Sequence, residues 1–161
     1  MTTGAAVLTS FLLVAAVGDA NHATFSLTVD YRQSLKMMIK AGRYDYINSD
    51  ITSRHFPVAP GPAEVTIELV RFDRVMSTDA VLAELEKRGV RPATLPELLA
   101  FGAKYPEKQR EFSVVALASV WRPWRDLRSS PCLWGDARER FLDLRWLDWW
   151  GLPYRFAAVR T

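Results

Sequence analysis

Cysteine occurs once, at Cys132, and histidine twice, at His22 and His55. A single thiol excludes an intramolecular disulfide framework and any zinc cluster built from cysteines. Two imidazoles leave little material for a histidine-rich metal site. The chain holds no glycine-rich phosphate loop, no Gly-x-Ser-x-Gly turn, no His-Glu-x-x-His pair and no dinucleotide fingerprint. Its apolar run Ala5–Val17 has 13 residues, too few to span a bilayer. We therefore expect no transmembrane span. The run has the length of a signal-peptide core, and Ala20-Asn21-His22-Ala23 resembles a cleavage site, yet Met1–Gly4 carries no Lys or Arg. The same residues also read as a buried strand or an N-terminal arm. We expect a cytoplasmic protein, with secretion through this run as the alternative.

What is present is the composition of an ordinary globular domain, 49% hydrophobic and 24% charged. With 161 residues a chain buries roughly 70% of its unfolded surface and needs no staple. The net charge of +3 is unevenly spread. Residues 1–121 carry equal numbers of bases and acids, whereas residues 122–161 carry eight arginines, no lysine and five acids. All six tryptophans fall between Trp121 and Trp150. Arg and Trp are the side chains most enriched at binding hot spots. The alternative is a Trp-rich core flanked by solvated arginines.

Local patterns place the elements. Phe25, Leu27 and Val29 alternate with polar residues, a half-buried strand. Asp30 to Gln33 reads as a capping box, opening a helix that carries Leu35, Met38 and Ile39 and stops at Gly42. Pro57, Pro60, Gly61 and Pro62 close an aperiodic stretch, so residues 1–62 form a strand–helix extension ahead of a core domain at 63–161. Val65, Ile67 and Leu69 mark a second strand. Ser77 or Thr78 caps a helix ending at Gly89. Thr94 and Glu97 form a capping box around Pro96. Ser113–Trp121 is almost continuously apolar and predicts a central strand buried on both faces. Short strands follow around Cys132–Trp134, Arg140–Trp146 and Tyr154–Val159, with Gly135-Asp136 as a hairpin turn. The class is α+β, a mixed or mainly antiparallel sheet with two or three helices.

From Glu64 to Thr161 this order is strand, helix, helix and four strands. Arg91-Pro92-Ala93-Thr94 running into Glu97, then Val114–Leu117, then Tyr154–Arg160, resemble the C-type-lectin-like fold. The similarity is to its branch of formylglycine-generating enzymes and retroelement-diversified binding proteins. The chain as a whole also resembles uncharacterised bacterial proteins of similar length. The lectin-like resemblance implies a rigid scaffold presenting loops, with a first and a last strand that pair. It does not imply the family's chemistry. The Glu-Pro-Asn and Trp-Asn-Asp calcium motifs are absent, and the oxidases use two cysteines.

Asp45, Asn48 and Asp50 offer oxygen ligands within six residues, but without the spacing or the glycine of a calcium loop. Turn formation explains them as well. A nucleophile Cys132 would need His55 and Asp50 beside it. We expect no catalytic residue, metal or cofactor. The expected function is a non-enzymatic binding domain that engages a protein, peptide or glycan. Its ligand-binding residues would be Trp124, Arg125, Arg145, Trp146, Trp149, Trp150 and Tyr154. The alternative partner is single-stranded nucleic acid, phosphates on arginines and bases on indoles. Against it, Asp126, Asp136, Glu139, Asp143 and Asp148 interrupt the positive charge.

Overall fold

The computed structural model describes residues 23–161, so the run Ala5–Val17 and the readings attached to it lie outside the described residues. Alternation builds the first strand. In β1 (Thr24–Thr28) buried Phe25 and Leu27 alternate with exposed residues, and β3 (Glu64–Val70) pairs with it antiparallel, Phe25 opposite Ile67. Between them lie α1 (Leu35–Gly42) and the two-residue β2 (Tyr46–Ile47). The short β4 (Met76–Ser77) runs straight into α2 (Thr78–Lys87), and β5 (Val90–Pro92) precedes α3 (Leu95–Lys104). A single turn, α4 (Lys108–Glu111), leads to β6 (Ser113–Val115). The remainder is β: β7 (Trp121–Trp124), β8 (Leu127–Gly135), β9 (Arg140–Trp146), β10 (Trp149–Trp150) and β11 (Tyr154–Arg160).

Nine strands make one sheet along the path β1-β3-β11-β6-β8-β9-β2, with β5 beside β11 and β7 beside β8; β4 and β10 form a separate ribbon. Every ladder is antiparallel except β11–β6 and β2–β9. The protein is α+β, and its mixed sheet is mostly antiparallel, as the sequence predicts. One face of the sheet, bearing Ile67, Leu133 and Leu142, packs against α1 and α3, and β1 belongs to the same cluster. The opposite face, bearing Val115, Cys132 and Phe156, meets Val81 and Leu85 of α2.

Helix ends follow the expected chemistry with one exception. Ser77 caps α2 by accepting from the Ala80 amide, and Gly89 takes φ +70° just past its end. At α3 the buried Glu97 carboxylate accepts from the Thr94 amide at 2.8 Å, the carboxylate half of a capping box, and from the half-buried Arg91 at 2.7 and 3.0 Å, while the Thr94 hydroxyl itself has no partner. The exception is α1. Asp30 is not its cap, because its carboxylate is spent in a local turn on the Arg32 amide and guanidinium. Ser34 caps instead, accepting from the Met37 amide, and the helix starts at Leu35. Nor is Gly42 the left-handed residue, which is Arg43 at φ 50°. A Cβ on Gly42 would strike the Tyr44 ring, so a close approach explains the glycine.

The predicted strand Ser113–Trp121 also divides. β6 ends at Val115, one more bond runs from the Ala116 amide to the Pro131 carbonyl, the Ala118 amide then turns to the Ala93 carbonyl, and β7 restarts at Trp121 on the same side of β8. Two side chains close the outer edge of β1: Lys104 Nζ and the Tyr105 hydroxyl both donate to the Ser26 carbonyl. Among the described residues no helix is long and apolar enough to cross a membrane.

Candidate functional site

Residues directly opposite one another in an antiparallel ladder share a face, and neighbours along a strand point to opposite faces. That rule sorts the tryptophans. Leu133 faces Leu142 and Pro131 faces Leu144 on the α1/α3 side, so Ser129, opposite both Trp146 and Trp121, lies on that side too. Beyond it, at the two-residue turn Arg125-Asp126, Trp124 pairs with Leu127. The register shifts between Trp121 and Trp124, which keeps both indoles on one face. Trp124 is 71% exposed, Trp146 55% and Leu127 43%. Trp121 is half-buried, with one ring face covered by His55 at 4.3 Å and 13°. Ser129, in the middle of the row, is 1% exposed and its hydroxyl has no hydrogen-bond partner.

Arg145 and Trp134 lie on the opposite face. The Trp134 ring meets two neighbours, Phe141 stacked at 4.2 Å and the Arg145 guanidinium at 5.3 Å. Arg145 also pairs with Asp143 at 3.0 Å. Asp143 accepts four bonds: from Asn48, from the Leu144 amide, from Trp134 Nε1 and from Arg145. Burial alone would raise its pKa; the bonds from Asn48, Leu144 and Trp134 outweigh that and hold it below the ordinary value. Trp150 is a core residue. It is 2% exposed, its Nε1 donates to Thr78, and Tyr154 and Phe156 meet its ring edge to face. Its place in the predicted contact surface is therefore corrected: the ladder with Met76 turns it onto the sheet and leaves Trp149 outside. Trp149 and Arg128 line a small hollow at the start of α2, and Tyr154 is half-buried.

The seven predicted contacts thus do not form one surface. Trp124 and Trp146 share a face with Arg125 in the turn beside them, Arg145 lies behind the sheet, and Trp149 sits on a separate ribbon. Sequence reading passed over Leu127, Ser129 and the His55–Trp121 stack. The period-2 placement of Leu127 and Ser129 in β8 carries their signal.

Arg140 is the other feature that sequence reading passed over. It is 6% exposed, and its guanidinium donates to Gly42 O, Gly102 O and Gln109 Oε1 at 2.6, 2.8 and 2.9 Å. The first two acceptors lie in the last turns of α1 and α3, at the negative ends of the helix dipoles. Its charge also lies over the Tyr44 ring, 5.1 Å from the centroid. Burial pushes the Tyr44 phenol far above the tyrosine range, and its hydroxyl has no partner.

The constellations considered for chemistry disperse. Cys132 points to the α2 face, away from His55, and burial pushes its thiol up to about 12. His55 Nδ1 lies 2.8 Å from the Asp50 carbonyl oxygen. Asp45 accepts from the Arg140 amide, and Asn48 spends its oxygen on the Asp50 amide and its nitrogen on Asp143. No family model, no curated protein and no solved structure matches the chain.

Proposed function

We propose that this chain is a non-enzymatic binding domain that engages a protein, peptide or glycan through the free end of the β7–β8–β9 unit. The observation behind this reading is the row of large apolar side chains, Trp124, Leu127 and Trp146, exposed side by side on one face of a hairpin end. Soluble chains leave single apolar residues exposed without consequence, but a contiguous aromatic patch marks a contact surface. Trp121, at the start of β7, packs against the core cluster and anchors the strand that carries Trp124.

One observation favours single-stranded nucleic acid as a second reading. Arg122, Arg125 and Arg128 form no ion pair among the described residues. Strand alternation weighs against it, because Arg128 faces away from the indoles. We also propose that residues 64–161 are a small variant of the C-type-lectin-like arrangement. In support, the first strand of that stretch, β3, pairs antiparallel with the last, β11, and α2 and α3 lie between them in sequence.

The test is a selection from a phage-displayed random peptide library on immobilised protein, with Trp124→Ala/Trp146→Ala as counter-selection. Enriched peptides that lose the double variant support the reading. Peptides that bind both proteins equally place the contact surface elsewhere and sink it. In parallel, mixed oligonucleotides titrated at about 50 and about 200 mM salt decide the second reading, which requires binding that falls steeply with salt.

A further inference from the structure

The β4–β10 ribbon carries exposed apolar side chains of its own. Trp150 and Met76 are paired and buried, so Trp149, opposite Ser77, faces outward. Trp149 is 66% exposed, and Val75, which precedes Met76, is 61% exposed. Leu152, 47% exposed, stands in the turn that continues β10. There the Tyr154 amide donates to the Gly151 carbonyl, and the Arg155 guanidinium donates to the Leu152 carbonyl at 3.1 Å.

Arginines border these residues. Arg71 and Arg74 lie in the loop that leads into β4, and Arg88 lies 5.0 Å over the Phe72 ring of the same loop. Arg128 lines the hollow beside Trp149, and Arg155 braces the Leu152 turn. None of the five forms an ion pair among the described residues. They also feel one another: burial and the charge of Arg71 hold the Arg155 guanidinium below its ordinary value. Of the acids in these segments, Glu84 is taken by Lys87, which leaves Asp73, Asp79 and Asp148 and an excess of positive charge.

The local backbone offers a partner chain little. β4 and β10 have two residues each, too few to template an added strand, and β4 runs straight into α2. Apolar tips on turns, bordered by cations, suit a lipid interface instead. An indole settles at headgroup level, aliphatic tips enter the acyl boundary, and arginines meet the phosphates. From this unpaired positive charge around exposed Trp149, we infer that the β4–β10 ribbon docks on an anionic lipid surface. The contact is separate from the hairpin end at Trp124 and Trp146.

Cosedimentation of the full chain with vesicles tests this, using phosphatidylcholine alone and phosphatidylcholine mixed with phosphatidylserine. Pelleting is expected with the mixed vesicles only, and it should fall steeply between about 100 and about 500 mM salt. Arg71→Gln/Arg74→Gln should weaken it roughly 25-fold, about five-fold per charge, and Trp149→Ala about ten-fold. All three side chains are exposed, so unchanged melting curves are expected and show that the fold is intact. No pelleting with the mixed vesicles overturns the inference, as does equal pelleting with phosphatidylcholine alone or pelleting that these variants retain. Binding of polyglutamate without binding of vesicles assigns the arginines to an acidic chain and removes the lipid. Trp124→Ala/Trp146→Ala should pellet like wild type; if it alone loses vesicles, the lipid contact lies at the hairpin end and the ribbon falls.

Discussion

Replacing Arg140 by methionine keeps the aliphatic part of a buried side chain and removes the guanidinium with its charge. Three acceptors then lose their donor together: Gly42 O, Gly102 O and Gln109 Oε1. A buried acceptor left unmade costs about 1–3 kcal/mol. The variant recovers the cost of desolvating a guanidinium, which in buried ion pairs can cancel the gain. Here the partners are neutral carbonyls, which do not become unpaired charges when the arginine goes. That sets the expected loss at about 3 kcal/mol, the low end of the range for breaking one side of a buried pair. Because the acceptors lie on α1, α3 and the residue Gln109 of α4, the loss is spread over three elements. In urea, with an m-value of about 2 kcal/mol/M for a domain of this size, the midpoint should fall by about 1.5 M with the slope unchanged. Arg140→Lys keeps the charge but cannot fork to both helix ends, so it should lie between the two. A methionine variant within about 0.5 kcal/mol of wild type would refute the argument, because the helix ends would then not depend on this donor.

Tyr44→Phe removes a buried hydroxyl that has no partner, so its melting temperature should be unchanged or a few degrees higher; a fall would reveal a bond that the ring position hides. Cys132, with its thiol pushed up to about 12 and fully buried, should resist a maleimide at pH 8 and react only in denaturant; labelling of the folded chain at the rate of a free thiol would contradict this. Asp143→Asn should cost about 2 kcal/mol at pH 7, the scale of hydrogen bonds to a charged group. Since the folded pKa of Asp143 is below its ordinary value of 3.8, its contribution is complete above that value and is lost as pH falls through the folded one. The gap between wild type and variant should therefore be constant from pH 7 to about pH 5 and narrow below about pH 4; a gap that widens in acid would reverse the sign.

Features written in short segments were legible. The alternation in Phe25–Val29 and Val65–Leu69 and the caps at Ser77 and Thr94 are local physics, settled by residues two to four apart. The start of α1 was missed because Asp30 and Ser34 are both sound caps and a turn on Arg32 decides between them. The division of Ser113–Trp121 depends on the Ala93 carbonyl, whose pull on the Ala118 amide leaves no trace in the apolar pattern. For the candidate site, the clustering of tryptophans along the chain suggested one surface, yet period 2 sends adjacent side chains to opposite faces. Only the register through Ser129 shows which indoles stand together. Arg140 was passed over because two of its three acceptors are backbone carbonyls, and every residue has one of those.

The two donors on the Ser26 carbonyl have a consequence for how copies of this chain behave when crowded. An unpaired strand edge is a template on which a second sheet can grow. Lys104 and Tyr105 occupy the acceptor such growth would use in the middle of β1, and a charged ammonium stands where another chain would have to lie. Sheet-to-sheet joining through β1 is thus disfavoured at the very position where its hydrogen bonds would register. Exchanges among the exposed indoles at the far side of the sheet then leave this block on β1 in place.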